Sequence, residues 1–212
     1  MIKVCEIFKS IQGESTYAGE ICSFVRLSGC NLSCTYCDTT YASSEQGTDL
    51  TIEQIYNRVK EHGTNLVEIT GGEPLLQKNT AVLCKLFLDN KYIVLVETNG
   101  SLEIDILPPG CVRIVDVKCP GSGEGNSFLL SNLQKLVPRD EVKFVISDRS
   151  DFLWSVNFIK KQDLRAKAKI LFSPCIGKVA PADLAQWICE ENAPVRLSLQ
   201  IHKFIWGEKR GV

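Results

Sequence analysis

The chain has 212 residues, 44% hydrophobic and 23% charged, with 24 Lys and Arg against 25 Asp and Glu for a net charge of −1. This is the composition of an ordinary globular protein with one substantial core. The charge balance argues against a nucleic-acid backbone or an anionic membrane as partner, and no apolar run reaches the length of a membrane span.

In chain order, Met1 to Phe8 is too short an apolar run for a signal peptide and reads as a strand. Ile21 to Leu27 reads as a second strand that feeds a cysteine-bearing loop. Thr51 to His62 reads as a helix, because Thr51 and Gln54 can form a capping box while Ile52, Ile55, Tyr56 and Val59 share one face. Leu66 to Thr70 reads as a strand, Ala81 to Asp89 as a helix and Tyr92 to Thr98 as a strand. Val112 to Val117, Glu141 to Ser147, Ile170 to Phe172 and Val195 to Ile201 read as further strands. Helices are expected near Asp151 to Lys161 and, opened by Pro181, over Ala182 to Glu191. No repeat or linker interrupts the chain, so a single domain over residues 1–212 is expected. Strands interleaved with helices predict βαβ units and a parallel sheet, either a partial barrel or an open doubly wound sheet.

Polar and glycine-rich residues end strand after strand. They include the cysteine loop, Thr70-Gly71-Gly72-Glu73-Pro74, Glu97-Thr98-Asn99-Gly100, Asp116-Val117-Lys118-Cys119-Pro120, Ser173-Pro174 and Gln200-Ile201-His202-Lys203. Sites in parallel α/β proteins are built from loops at the C-terminal ends of strands. With every mouth carrying such residues, the expected architecture is a partial α/β barrel of about six parallel strands around one cavity.

Cys30, Cys34 and Cys37 are spaced Cys-x3-Cys-x2-Cys, and no fourth ligand follows at fixed spacing. Structural zinc and closed iron–sulfur sites take four ligands, and the other seven cysteines of the ten are scattered singly. Without a secretion signal, free thiols point to a reducing cytoplasm and not to a disulfide framework. Three thiolates on a four-iron cube leave one iron open for a substrate or cofactor. That reading predicts a single 4Fe-4S cluster.

The cysteine loop followed by Gly71-Gly72-Glu73-Pro74 resembles the radical S-adenosylmethionine (SAM) superfamily. Glu6 to Glu14, Phe24 to Leu27, Cys37-Asp38-Thr39 and the tail from Gln200 to Gly207 narrow the resemblance to the 7-carboxy-7-deazaguanine synthase family. It extends from about Glu6 to the last residue. The resemblance implies conversion of 6-carboxy-5,6,7,8-tetrahydropterin to 7-carboxy-7-deazaguanine with loss of ammonia, on the route to queuosine and other deazapurines. It further implies SAM as a reusable cofactor, Mg2+, a homodimer, and a flavodoxin or ferredoxin as reductant. The first implied step is removal of hydrogen from C6 of the pterin, with no protein residue acting as catalyst beyond the cofactor-generated radical.

The same resemblance assigns Gly72 and Glu73 to the methionine ammonium of SAM, with Gly71 allowing close backbone approach. Tyr36 falls near the adenine, Asp38 at the cofactor, and Asp116 and Lys118 beside SAM. Gln12, Gly13, Glu14 and Thr70 are expected to line the pterin, and Arg26 to hold its carboxylate through a planar fork. Thr39 is expected to ligate Mg2+, and the carboxylate of Val212 to reach the substrate.

Taken singly these residues have plainer readings. Gly71-Gly72 would be a turn, Arg26 a rim charge, Gln12-Gly13-Glu14 a polar turn and Thr39 a helix cap. Cys5, Cys22, Cys84, Cys111 and Cys189 read as small core hydrophobes, while Cys119 and Cys175 end strands near the expected cavity. His62 reads as a surface residue, and His202 equally as a pocket group or a structural histidine. Two rival functions are a glycyl-radical enzyme activase, which needs an open docking face, and a non-catalytic electron-transfer protein, which needs four ligands.

Overall fold

The computed structural model describes residues 1–212. Its strands are Ile2–Ile11 (β1), Ile21–Leu27 (β2), Thr48–Leu50 (β3), Leu66–Gly71 (β4), Ile93–Thr98 (β5), Val112–Asp116 (β6), Glu141–Ile146 (β7), Lys169–Pro174 (β8) and Arg196–Leu197 (β9). They form one sheet in the order β3-β1-β2-β4-β5-β6-β7-β8-β9. From β2 through β4, β5, β6 and β7 to β8 every pairing is parallel, as expected, and β1 adds an antiparallel edge on β2. The end strands β3 and β9 are not neighbours, so the sheet stays open.

The helices are Thr40–Ser44 (α1), Ile52–Glu61 (α2), Thr80–Asp89 (α3), Arg149–Lys161 (α4), Pro181–Glu190 (α5) and Ile201–Trp206 (α6). The capping box opens α2: Thr51 Oγ1 accepts from Gln54 N at 3.1 Å, and Gln54 Oε1 accepts from Thr51 N at 2.8 Å. Pro181 occupies the first turn of α5.

Alternation along each strand divides the side chains between two environments. Val25, Leu27, Val67, Ile69, Val94, Val96, Val115, Phe144 and Phe172 face outward and join the main core with Ile55, Leu83, Phe87 and Phe152 from the helices. The opposite positions face the concave side. There Cys22, Phe24, Leu66, Leu95, Val112 and Ile114 form a small apolar plug. Beyond that plug the same faces carry Arg26, Glu68, Thr70, Glu97, Asp116, Lys143 and Ser173. The sheet therefore turns polar only toward its C-terminal mouth.

One strand expectation is corrected. Val195 to Ile201 contributes only the two residues of β9, and α6 begins at Ile201. Ser198 N still donates to Phe172 O at 2.8 Å, but Ile201 N donates to Gly13 O at 2.9 Å, pulling the chain across the cavity mouth. Two cysteines are corrected as well. Cys22, Cys84 and Cys111 are buried as expected, but Cys5 is half-buried and Cys189 is exposed, because α5 turns Leu184 and Ile188 to the core instead. No helix is long and apolar enough to cross a membrane.

Candidate active site

The strand mouths enclose a cavity of about 500 Å3, and every site residue predicted above except Glu73 lines it. The cysteine loop is irregular backbone held from three sides. Glu73 N donates to Gly29 O at 2.8 Å, Asn99 Nδ2 to Asn31 Oδ1 at 3.1 Å, and Thr35 N to Ser122 O at 2.9 Å. Ser33 N also donates to Glu124 Oε1 at 2.8 Å. The loops after β4, β5 and β6 thus fix where the three thiols stand. No three His, Cys, Asp or Glu side chains converge on a single-ion point.

The two glycines act through packing. A Cβ on Gly71, whose φ is +138°, would strike the Leu27 backbone, and one on Gly72 would overlap Gly29 O and lie 2.9 Å from Cys30 Cβ. Their missing side chains let the β4 loop press against the cysteine loop. Asp116 accepts from Lys118 Nζ at 2.7 Å, yet its buried Oδ1 has no partner, an acceptor left over at the cavity wall. Three thiols on one loop, with no fourth ligand beside them in the chain and an orphaned carboxylate oxygen across the cavity, fit an open cluster and a cationic ligand.

Residues 24–114 match the radical SAM superfamily. Over the whole chain, identity is 44% to the 7-carboxy-7-deazaguanine synthase of Koribacter versatilis (strain Ellin345), with all of that protein covered. Identity is also 44% to the enzyme of the same name from Chlorobaculum tepidum, with 100% of this chain and 97% of that protein covered. The chain belongs to the 7-carboxy-7-deazaguanine synthase family. The crystal structure of QueE from Escherichia coli shares the fold, with a TM-score of 0.74, 22% identity and 93% of each chain covered. Streptococcus suis SuiB bound to S-adenosylmethionine matches more distantly, with a TM-score of 0.55 and 15% identity over 81% of this chain and 48% of that one.

Within this family member, Glu73 is placed differently from the expectation. It is fully buried, and its carboxylate accepts from Leu75 N at 2.9 Å, Thr98 Oγ1 at 2.8 Å and Asn99 N at 2.7 Å. Glu73 therefore joins the β4 and β5 loops behind the cavity wall. Gly13 lines the cavity and also makes room for the C-terminal tail, since a Cβ there would come within 2.7 Å of His202 Cγ.

Arg26 donates through Nε to Glu6 Oε1 at 2.8 Å, leaving both terminal nitrogens without partners, between the rings of Phe8 and Tyr41. Thr39 precedes α1 at the cap position without capping it; its hydroxyl donates to Asp38 Oδ1 at 3.3 Å. Tyr36 lies along the wall, its hydroxyl donating to Val145 O at 3.3 Å. His62 ends α2, where its Nδ1 sits 2.9 Å from Ser23 Oγ. Of the two cysteines left open, Cys175 lines the cavity and Cys119 is packed against Ser155.

Two groups that sequence reasoning missed, Lys143 and Glu68, and a third it placed only at a strand mouth, Glu97, line the cavity. Lys143, on β7, pairs with Glu14 at 2.9 Å, with Glu97, and with Asp116 at 3.8 Å. Burial alone would lower its pKa, but the Glu14, Glu97 and Asp116 charges hold it well above the ordinary lysine value. Burial would likewise raise Glu14, yet Lys143 and the Gln200 amide hold its carboxyl below the usual range. Glu97 also accepts from Thr70 Oγ1 at 3.1 Å. Glu68 lies on β4. The available signal was that Glu68 and Lys143 each stand between two apolar neighbours within a strand.

The tail closes the mouth. Arg210 lies 3.9 Å from the Tyr41 ring centroid and donates to Glu6 Oε2 at 3.0 Å and Glu45 Oε1 at 2.7 Å. Gln200 Nε2 donates to Glu14 Oε1 at 2.8 Å and to Asp38 Oδ2 at 3.2 Å. Val212 is thereby brought to the cavity rim.

Proposed function

We propose that this radical SAM enzyme, as one domain over residues 1–212, converts 6-carboxy-5,6,7,8-tetrahydropterin to 7-carboxy-7-deazaguanine and ammonia. The observation that carries the reading is convergence. Three thiols of one loop, Gly71 and Gly72, a guanidinium with two unpaired terminal nitrogens and lysine-paired carboxylates share one cavity.

Cys30, Cys34 and Cys37 would hold the 4Fe-4S cluster, and Gly72, Tyr36, Asp38, Asp116 and Lys118 the SAM. When bound, these groups supply one-electron cleavage of a carbon–sulfur bond and a hydrogen-abstracting 5′-deoxyadenosyl radical. The chain's own work is placement and exclusion of water. Arg26 presents two unpaired nitrogens to a carboxylate as a fork. Glu14, held ionised by Lys143, accepts from the guanidine-like edge of the pterin beside Gln12, Gly13 and Thr70. The Thr39 hydroxyl, which donates to Asp38 and keeps its oxygen lone pairs for a ligand, supports Mg2+ as a third cofactor, with substrate oxygens and water completing its shell. The terminal carboxylate at Val212 lies at the rim, where it can reach the substrate.

The same proposal includes a homodimer, a flavodoxin or ferredoxin as electron donor, and a reducing cytoplasm as the compartment. Leu197, Phe204 and Ile205 are exposed along β9 and α6 and offer an apolar edge for a second copy. The test is anaerobic incubation of the reconstituted protein with SAM, reductant and the carboxytetrahydropterin, with and without Mg2+. Deazaguanine product and stoichiometric ammonia are expected, with Mg2+ raising the rate. A cluster spectrum that responds to SAM, with no product from the pterin, would overturn the substrate assignment.

A further inference from the structure

Six carboxyl side chains line the cavity: Glu14, Asp38, Glu68, Glu97, Asp116 and Glu208. Five of them have a lysine within ion-pair distance, namely Lys143 for Glu14 and Glu97, Lys118 for Asp116, and Lys203 for Asp38 and Glu208. Glu68 alone has none.

Its position explains this. Glu68 sits mid-strand on the concave face, in register with Phe24 of β2 and Leu95 of β5, both part of the apolar plug. It is 5% exposed. Its Oε2 accepts from Gln12 Nε2, and Oε1 has no partner within the protein. Gln12 in turn takes the Glu14 N–H on its own Oε1 at 3.0 Å, which fixes the amide so that its NH2 points at Glu68. The titratable groups around Glu68 are Glu97 from β5, Glu14 from the loop after β1, Lys143 from β7 and the Cys22 thiol from β2. Burial first, then the Glu97 and Glu14 charges, push its carboxyl up to about 8, against the pull of Gln12 and Lys143.

We infer that Glu68 is a catalytic acid–base residue: it donates the proton that departs with ammonia and then recovers one from the ring. The inference rests on the reaction proposed above. Substrate and product differ by one ammonia with no net oxidation, so the last stage is an elimination. Glu68 gives its O–H proton to the leaving amino nitrogen, and the carbon–nitrogen bond breaks with its electron pair on nitrogen, releasing ammonia. A proton on the adjacent ring carbon then passes to the Glu68 carboxylate, and the electron pair of that carbon–hydrogen bond forms the new ring double bond. The acid is regenerated, and no external oxidant or reductant enters. Gln12 Nε2 stabilises the transient carboxylate, while Glu14 beside it is held low by Lys143 and Gln200.

The Glu68→Gln variant tests this, because an amide matches a neutral carboxyl in shape and charge but cannot exchange the proton. With pterin deuterated at C6, transfer of deuterium into SAM or 5′-deoxyadenosine is expected to persist in the reconstituted variant. Ammonia release should fall by about 10²- to 10⁴-fold. The Glu68→Asp variant should recover part of that loss. Infrared difference spectra of the holoenzyme should show a protonated carboxyl band that titrates near pH 8 and is missing in E68Q. Equal loss of deuterium transfer and ammonia release would make Glu68 a structural residue and overturn the inference, as would wild-type ammonia release from E68Q. If the wild-type enzyme released no ammonia from the pterin, the reaction proposed above would fail. The infrared titration does not depend on turnover, and its absence would separately remove Glu68 as an acid.

Discussion

Lys143 and Glu14 are 129 residues apart in the chain, and Lys143 Nζ donates to Glu14 Oε2 at 2.9 Å. This pair joins the seventh strand to the loop after the first, and through Glu97 it also reaches the fifth. One ammonium therefore holds two carboxylates in place along the cavity.

Replacing it leaves like charges facing one another in a partly buried site. Removing one partner of a buried pair costs about 3–5 kcal/mol. Glu14 and Glu97 keep 21% and 27% side-chain exposure, so Lys143→Met should fall at the low end of that range. Urea unfolding checks the stability loss. Steady-state kinetics should show KM for the pterin rising more than kcat falls, since the freed carboxylates no longer present a fixed edge.

The pH dependence of stability follows from two opposed kinds of carboxyl. Glu14 and Asp116 are pushed up by burial but held low overall, by Lys143 and Gln200 in one case and by Lys118 and Lys143 in the other. Their contribution is complete above the unfolded value near 4 and is lost as pH falls through the lower folded value. Glu68 runs the other way. Its folded value of about 8 lies above the unfolded one, so its contribution is full in acid and is lost as pH rises toward 8. Urea midpoints of the wild type should decline from about pH 5 to pH 8, and E68Q should flatten that decline.

Gly72 bears on the cluster directly. An added methyl would meet Gly29 O and Cys30 Cβ, both backbone-fixed parts of the cysteine loop. Gly72→Ala should displace Cys30 and reduce the iron bound per chain on anaerobic reconstitution by at least half, while far-ultraviolet circular dichroism stays unchanged. Full iron loading in that variant would show that the loop can give way.

Arg210 acts on the tail. Its bonds to Glu6, Glu45 and Cys5 are surface contacts, with its own side chain 40% exposed, so little global stability depends on them. Arg210→Ala should leave the urea midpoint nearly unchanged while raising KM for the pterin several-fold and making the last residues more sensitive to carboxypeptidase. An unaltered KM would detach the tail from substrate binding.

Sequence alone determined the features that local pattern encodes. Apolar alternation and helix caps such as Thr51 with Gln54 define the parallel α/β order. Three thiols within one loop define the cluster because their spacing is set by a few residues of backbone. The close packing of Gly71 and Gly72 against Leu27, Gly29 and Cys30, by contrast, only the assembled loops reveal. The tertiary structure decided what pairing across the sheet encodes. Lys143, Glu68 and Glu97 look alike in sequence, as single charges in strands, because alternation cannot say which face of a strand meets solvent and which a closed concavity. Curvature of the parallel strands puts all three on the inner face, where low dielectric turns proximity into pairing for Lys143 and the lack of a cation partner into a raised carboxyl pKa for Glu68. The same holds for the tail. Its apolar residues read as one more strand until Gly13 and Glu14 offer nearer partners than the sheet edge.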